Sequence, residues 1–340
     1  MKAAVFYEPG KPLKIEDYPT PKIGATDVLV DVAACGVCRT DLHYLHGTPT
    51  FKKPPVILGH EASGTIAELG DKVEGWTKGD RVLIPAVLSC GECDNCRRGR
   101  ENVCARMCMV GNHIDGAYAE FIRIPAKDLV RVPESLPLKE VSIVADAIST
   151  PYHAVKNRGE VRPGDLVAVF GCGGVGVNVV QLAAAAGGIV YAVDVLDEKL
   201  ELASKLGAAV TINSSKENPV KKIRTLTKKR GVDVSFEAIG IPEVMSQALA
   251  VVRWGGRMVV VGFSDKDWAV QASRVMFREV EIRGSLGCRI VDYPPLVEMV
   301  AQGKVQIKPL IHSLRPLEEI NQAFEDLEAG KVIGRTIVVP

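Results

Sequence analysis

The sequence predicts a mixed α/β chain in two parts: an irregular, mostly antiparallel β domain, then a parallel sheet covered by helices on both faces. Three observations predict it. Short valine-rich runs broken by turn formers fill the chain from Met1 to about Pro133. From about Pro163, apolar runs of strand length alternate with helical segments. A glycine cluster stands at the first strand-to-helix turn of that second part. A length of 340 residues suits two domains of ordinary size.

In the first part, Val28-Leu29-Val30 and Arg81-Val82-Leu83-Ile84 read as strands, and Pro9-Gly10, Gly24, Gly70-Asp71 and Gly79-Asp80 as turns. Gly75 to Pro85 reads as a turn feeding a buried strand. In the second part, Leu166–Phe170 and Ile189–Asp194 are strands, followed by Ala209–Ile212, Val232–Phe236, Met258–Val261 and Val280–Ile282. Helices are expected over Gly174–Ala186, Leu196–Leu206 and Val220–Lys229, the last with Lys221, Lys222, Lys228 and Lys229 on a wet face. Residues 291–330 add helical segments, and Thr336–Val339 reads as a closing strand.

Composition excludes several classes. Apolar residues make up 47% and charged residues 24%, so the chain is not disordered. Forty-two basic residues against 41 acidic give a net charge of +1, which provides no field for nucleic acid and no polybasic membrane patch. The longest apolar stretch, Val179 to Val193, is broken by Gln181 and Gly187-Gly188 and is too short for a bilayer. No apolar segment precedes the first acids of the N-terminus, so a cytoplasmic location is expected. Seven of the nine cysteines lie between Cys35 and Cys108, and the odd total favours metal or thiol chemistry over disulfides.

Gly171-Cys172-Gly173-Gly174-Val175-Gly176 fits G-x-G-x-x-G directly after the strand Leu166–Phe170, and it opens a helix. Such glycines permit a tight turn and close backbone approach to a pyrophosphate, which the helix N-terminus stabilises. Asp194, 23 residues past Gly171 at the end of the next strand, is placed to bond ribose hydroxyls. A carboxylate there repels a 2′-phosphate, so NAD is expected over NADP. The rival reading is a packing turn.

Cys90, Cys93, Cys96 and Cys104 stand as C-x2-C-x2-C-x7-C in a loop lacking apolar residues of its own. Four thiolates match the closed tetrahedral shell of structural zinc, whereas iron–sulfur clusters use other spacings. Cys108 reads as a spare thiol. A second constellation pairs Cys35-x-x-Cys38 with Gly59-His60-Glu61. One cysteine and His60 supply two of the three ligands an open catalytic zinc needs. The rivals are a core histidine and a thioredoxin-like pair, the latter without its βαβ context.

These motifs occur in one order with ACGVCRTDLH at 34–43, the four-cysteine lobe, GCGGVG with Asp194, and IGRTIVV near the C-terminus. On them the chain resembles the zinc-dependent alcohol dehydrogenases of the medium-chain dehydrogenase/reductase family over essentially its full length. The resemblance implies a GroES-like catalytic domain over 1–150, a Rossmann domain over 151–288, and a segment 289–340 returning to the first domain. It makes Cys38 the thiolate ligand, leaves Cys35 unligated and makes His60 the second ligand, with Asp41 fixing its tautomer. Glu61 sits behind the metal and is able to approach it. The third ligand departs from the family, which usually has cysteine where this chain has Asp146. Carboxylate is an acceptable zinc ligand, so the implied site is Cys38, His60, Asp146 and water; the rival is a helix-capping Asp146 and no zinc.

By the same resemblance, Thr40 and His43 form the proton relay, Arg39 and Arg335 contact the pyrophosphate, and Lys199 reaches the adenosine ribose. Thr150, Val261 and Leu286 lie near the nicotinamide, and Pro49, Ala86, His113 and Phe263 wall the substrate pocket, where small Ala86 suggests room. The implied cofactors are NAD and two zinc ions, one catalytic and one structural. The implied assembly is a dimer or tetramer. Polyol, sugar or hydroxyacyl-thioester dehydrogenation on the same scaffold stays open. A zinc-free quinone or enoyl reductase and a non-catalytic binding protein are the other classes, and the zinc ligands and Thr40–His43 speak against them.

Overall fold

The computed structural model describes all 340 residues, which fall into two compact units. The first comprises Met1–Ser149, Gly287–Gly303 and Ile307–Pro340; the second comprises Thr150–Leu286 and Lys304–Gln306.

The first unit is built on a seven-stranded sheet in the order Val130–Arg131, Arg81–Ile84, Glu61–Leu69, Asp27–Gly36, Arg335–Val339, Ile311–Pro316, with Phe121–Pro125 also pairing Asp27–Gly36. All of its pairings are antiparallel except Ile311–Pro316 with Arg335–Val339. A smaller sheet joins Lys14–Asp17, Lys2–Phe6 and Val56–Ile57. Val28, Val30, Ile66, Ile84, Tyr118, Ile124 and Phe324 close the core. The helical segments expected within 291–330 are Tyr293–Ala301 and Ile320–Glu328; between them Ile311–Pro316, with alternating half-buried and exposed residues, makes an edge strand.

Register brings the chemistry together. Gly36 pairs with Glu61 on one side and Ile337 on the other. The C-terminal end of Asp27–Gly36 therefore meets the N-terminal ends of two of its antiparallel neighbours, Glu61–Leu69 and Arg335–Val339. The residues just beyond these ends, Cys38 and His60, converge with the strand-initial Glu61 and Arg335.

In the second unit six parallel strands lie in the order Ala208–Asn213, Ile189–Asp194, Leu166–Phe170, Val232–Glu237, Val252–Val260, Glu281–Gly284. Helices Gly176–Ala185, Asp197–Lys205, Pro219–Leu226 and Pro242–Val251 connect the first five. Phe170, Val193, Ile212, Ile223, Met245 and Met258 belong to its core. The third of these helices stops at Leu226, short of the expected Lys229, and Lys228 and Lys229 take left-handed φ of 50° and 66°. The strand order reverses between Leu166–Phe170 and Val232–Glu237, which opens a crevice at their carboxyl ends, where dinucleotides bind in such sheets.

Candidate active site and metal centres

Cys38, His60 and Asp146 offer one sulfur, one nitrogen and one oxygen, all within 4.8 Å of one another. Cys38 Sγ lies 3.8 Å and His60 Nε2 3.7 Å from Asp146 Oδ2. His60 is 4% exposed. Its Nδ1 faces Asp41 Oδ1 at 3.4 Å, which directs Nε2 to the cluster. Asp41, itself fully buried, accepts from Tyr118 Oη at 2.8 Å and from the Gly59 N–H at 3.4 Å. Burial disfavours charge on His60, but the charges of Asp41 and Cys38, with hydrogen bonds that the imidazole donates to Asp146 and Asp41, outweigh it and push its pKa well up. Cys35 is buried, its Sγ faces the Gly36 carbonyl, and burial pushes its thiol far up.

Glu61 stands behind this cluster. Arg335 Nε reaches both of its oxygens at 3.1 and 3.0 Å, and Nη2 reaches Oε1 at 2.6 Å. Nη2 also lies 3.6 Å from Cys38 Sγ and 3.9 Å from Asp146 Oδ2. A Cβ on Gly36 would fall 1.9 Å from Glu61 Oε2, so only glycine there makes room for the carboxylate. Arg335, expected at a pyrophosphate, is thus 4% exposed and committed to Glu61, because register sets the two strand starts side by side. Burial raises the Glu61 pKa against the opposing pull of Arg335.

In the cysteine lobe the closest sulfur pairs are Cys90–Cys104 at 3.4 Å, Cys93–Cys96 at 3.5 Å, Cys93–Cys104 at 3.8 Å and Cys90–Cys96 at 3.9 Å. Zinc–sulfur bonds in a tetrahedron set sulfurs about 3.8 Å apart, so the lobe fits zinc. Backbone N–H groups turn inward: Cys93 N–H donates to Cys90 Sγ and Cys90 N–H to Cys104 Sγ. N–H donors of this kind, from Glu92 and Cys93, draw the Cys90 thiol down to about 6. Cys38, His60 and Asp146 fit zinc through their donor set, since three mixed S, N and O ligands leave a fourth position open.

The glycine motif lies at the carboxyl end of Leu166–Phe170. Gly171 has φ 91°, and a Cβ on Gly176 would meet Gly171 O at 1.8 Å, so the helix start packs directly on the turn. A Cβ on Gly173 would meet open space. Gly173, Gly174 and Val175 are half-buried. Asp194 Oδ2 accepts the Cys172 N–H at 2.7 Å, while Oδ1 accepts from Val195 and Leu196 at 2.8 and 3.2 Å. Three of about four acceptor positions are filled, and Oδ2 keeps one. The turn, the helix start and this remaining acceptor fit a dinucleotide.

The remaining expected residues are placed as follows. Thr40 Oγ1 lies 3.5 Å from Cys38 Sγ. Thr40 and His43 are three apart on the helix Arg39–Leu45 and share a face. Arg39 is exposed and donates to the Leu327 carbonyl at 3.4 Å. Lys199 is half-buried on the helix after Asp194. Val261 donates its N–H to the Glu237 carbonyl, Leu286 is exposed and Thr150 half-buried. Phe51 stacks on His113 with ring centroids 4.1 Å apart. His113 Nδ1 accepts the Met109 N–H.

Sequence reading missed three members of this site. Tyr118 holds Asp41, and only the buried tyrosine in an apolar strand neighbourhood hinted at a polar partner. Gly36 makes room for Glu61, and Tyr293 lies against the turn that carries Asp146. No sequence signal pointed to the last two.

A fused pair of units, one holding mixed S, N and O ligands and a four-thiolate lobe and the other a dinucleotide turn, defines a zinc-type dehydrogenase. Comparison with known proteins agrees. The family described as alcohol dehydrogenase GroES-like domain matches residues 24–134, and that described as zinc-binding dehydrogenase matches 174–302. The chain is 39% identical to an alcohol dehydrogenase of Geobacillus stearothermophilus, over 99% of this chain and 98% of that one. It is 35% identical to an NAD-dependent alcohol dehydrogenase of Sulfurisphaera tokodaii, with both chains wholly covered. The solved alcohol dehydrogenase of Aeropyrum pernix superposes with a TM-score of 0.92 at 36% identity, again over both whole chains. The chain belongs to the zinc-dependent alcohol dehydrogenases of the medium-chain dehydrogenase/reductase family.

Proposed function

We propose that this chain oxidises alcohols to aldehydes or ketones, and runs the reverse reaction, with NAD as hydride carrier and zinc held by Cys38, His60 and Asp146. The observation that carries the reading is the convergence of those three donor atoms within 4.8 Å, in a chain that also carries the glycine turn and Asp194. When bound, zinc supplies Lewis-acid polarisation of the substrate oxygen and NAD supplies the hydride acceptor.

The chain's own residues do the rest. Asp41 orients His60, and Tyr118 holds Asp41. Thr40, beside Cys38, takes the hydroxyl proton of the alcohol, and His43 on the same helix face passes it to solvent. Asp194 accepts a ribose hydroxyl at its remaining position and repels a 2′-phosphate, with Gly171, Gly173, Gly174, Val175 and Gly176 around the pyrophosphate. Lys199, Thr150, Val261 and Leu286 complete the cofactor contacts. Arg39 is free to turn from the Leu327 carbonyl toward phosphate, whereas Arg335 would first have to leave Glu61. Cys90, Cys93, Cys96 and Cys104 hold a second, structural zinc. No helix is long and apolar enough to cross a membrane, and we place the enzyme in the cytoplasm as a dimer or tetramer.

The test is metal analysis joined to a screen of NAD+ reduction over simple alcohols, polyols, sugars and hydroxyacyl thioesters. About two zinc ions per chain and NADH formation from an alcohol are expected. Zinc-free protein that reduces quinones or enones with NADPH alone would reject the reading.

A further inference from the structure

We infer that Tyr293 is a positioning residue for the third zinc ligand, acting through the backbone carbonyl that precedes Asp146. The inference rests on the proposed ligand set Cys38, His60 and Asp146.

Asp146 sits where regular structure fails. The 3-10 turn Glu140–Ala145 ends just before it, the next helix begins at Ser149, and Asp146 itself has φ −140° and ψ −56°. Helical bonding therefore does not set the direction of its side chain. Two buried hydroxyls converge on the Ala145 carbonyl instead. Tyr293 Oη donates to it at 2.8 Å, and Ser149 Oγ lies 2.9 Å from it and 3.2 Å from Tyr293 Oη. Because the peptide is planar, pinning the Ala145 carbonyl fixes the plane that runs to the Asp146 nitrogen. That holds in place the Asp146 nitrogen and Cα, the base from which its carboxylate reaches the cluster. Zinc–oxygen bonds tolerate only about 0.2 Å of error, so a small rotation of this plane matters.

Tyr293 is itself firmly held. It is 2% exposed and opens the helix Tyr293–Ala301, whose first turn is stiffened by Pro294 and Pro295. Arg289 grips Asp292, the preceding residue, with bonds of 2.7 and 3.0 Å. Burial keeps the phenol protonated and thus a constant donor. The tyrosine comes from a segment about 150 positions further along the chain, so it links the ligand turn to a rigid second element.

The experiment compares the full-length wild type with Tyr293→Phe, which keeps the ring and removes only the hydroxyl. Each is loaded with zinc, and chelator competition reads the two sites separately. The site is also read by the visible absorption of the cobalt-substituted protein. The expected result is that Tyr293→Phe binds metal at Cys38, His60 and Asp146 about ten- to a hundred-fold more weakly, with a shifted cobalt spectrum and a lower kcat at little-changed KM. Zinc in the four-cysteine lobe stays as in wild type. Two zinc ions of wild-type affinity and an unchanged cobalt spectrum in Tyr293→Phe would overturn the inference while leaving the ligand set intact. A wild type that holds only the lobe zinc would overturn both. If Tyr293→Phe does not fold, Ser149→Ala reads the same carbonyl: selective weakening of the same site supports the inference, and unchanged affinity overturns it.

Discussion

Arg335 and Glu61 form a buried fork, with three guanidinium-to-carboxylate contacts between 2.6 and 3.1 Å from side chains no more than 5% exposed. They are 274 positions apart in the chain and meet because the strands they begin flank the same partner. A buried charge left alone is costly, so Glu61→Gln should lower stability by about 3–5 kcal/mol, read by urea denaturation at saturating zinc. Arg335→Lys, which cannot fork, should lose much of the same energy. A loss below about 0.5 kcal/mol, the size of an ordinary surface change, would show the fork to be energetically idle.

Asp146 is the proposed ligand at which this chain departs from the commoner family pattern. Asp146→Ala should lose one zinc of two and nearly all turnover, as two remaining ligands hold metal weakly. Asp146→Cys should regain the metal through a thiolate. Elemental analysis beside NADH formation decides it, and retention of both ions with full activity in Asp146→Ala would be contrary.

Asp194 should set cofactor choice. Removing its charge in Asp194→Ser should weaken NAD use and favour NADP relatively, since the 2′-phosphate no longer meets a carboxylate. The same change removes the acceptor for the Cys172, Val195 and Leu196 N–H groups, so some loss of stability should accompany it. Comparison of kcat/KM for the two cofactors checks this. Wild type using NADP as well as NAD would sink it.

Asp233 predicts acid sensitivity of the second unit. Burial raises its pKa, but bonds from Arg230 and Arg253 and from the Leu166 N–H outweigh this and hold the carboxyl below the usual range. The unfolded chain then binds the proton more readily than the folded one. The stabilisation is fully present above the unfolded value of about 3.9 and is lost as pH falls through the folded value. Urea midpoints should therefore drop between about pH 5 and pH 3 more steeply in wild type than in Asp233→Asn. Parallel slopes would argue against it.

Much of this protein is legible in local sequence pattern. The apolar runs Leu166–Phe170 and Ile189–Asp194 form strands over the residues expected, because a strand buried on both faces has few other ways to hide its backbone. The four-cysteine lobe and the glycine turn are equally readable, since each places its chemistry within about sixteen residues and geometry follows from spacing. Ile311–Pro316 is not, because its strand character depends on a distant partner rather than on its own composition.

What sequence determined by itself was therefore the local chemistry: which residues are able to bind metal, where a phosphate turn stands and which runs must be buried. Tertiary structure decided the pairings between segments far apart. It buried Arg335 on Glu61, set Tyr118 under Asp41, and brought Tyr293 to the carbonyl before Asp146. Each of these depends on strand register or on helix docking, which one-dimensional spacing does not encode. Such contacts form only once the backbone has closed over long loops, and buried polar groups then take whichever partners that closure supplies.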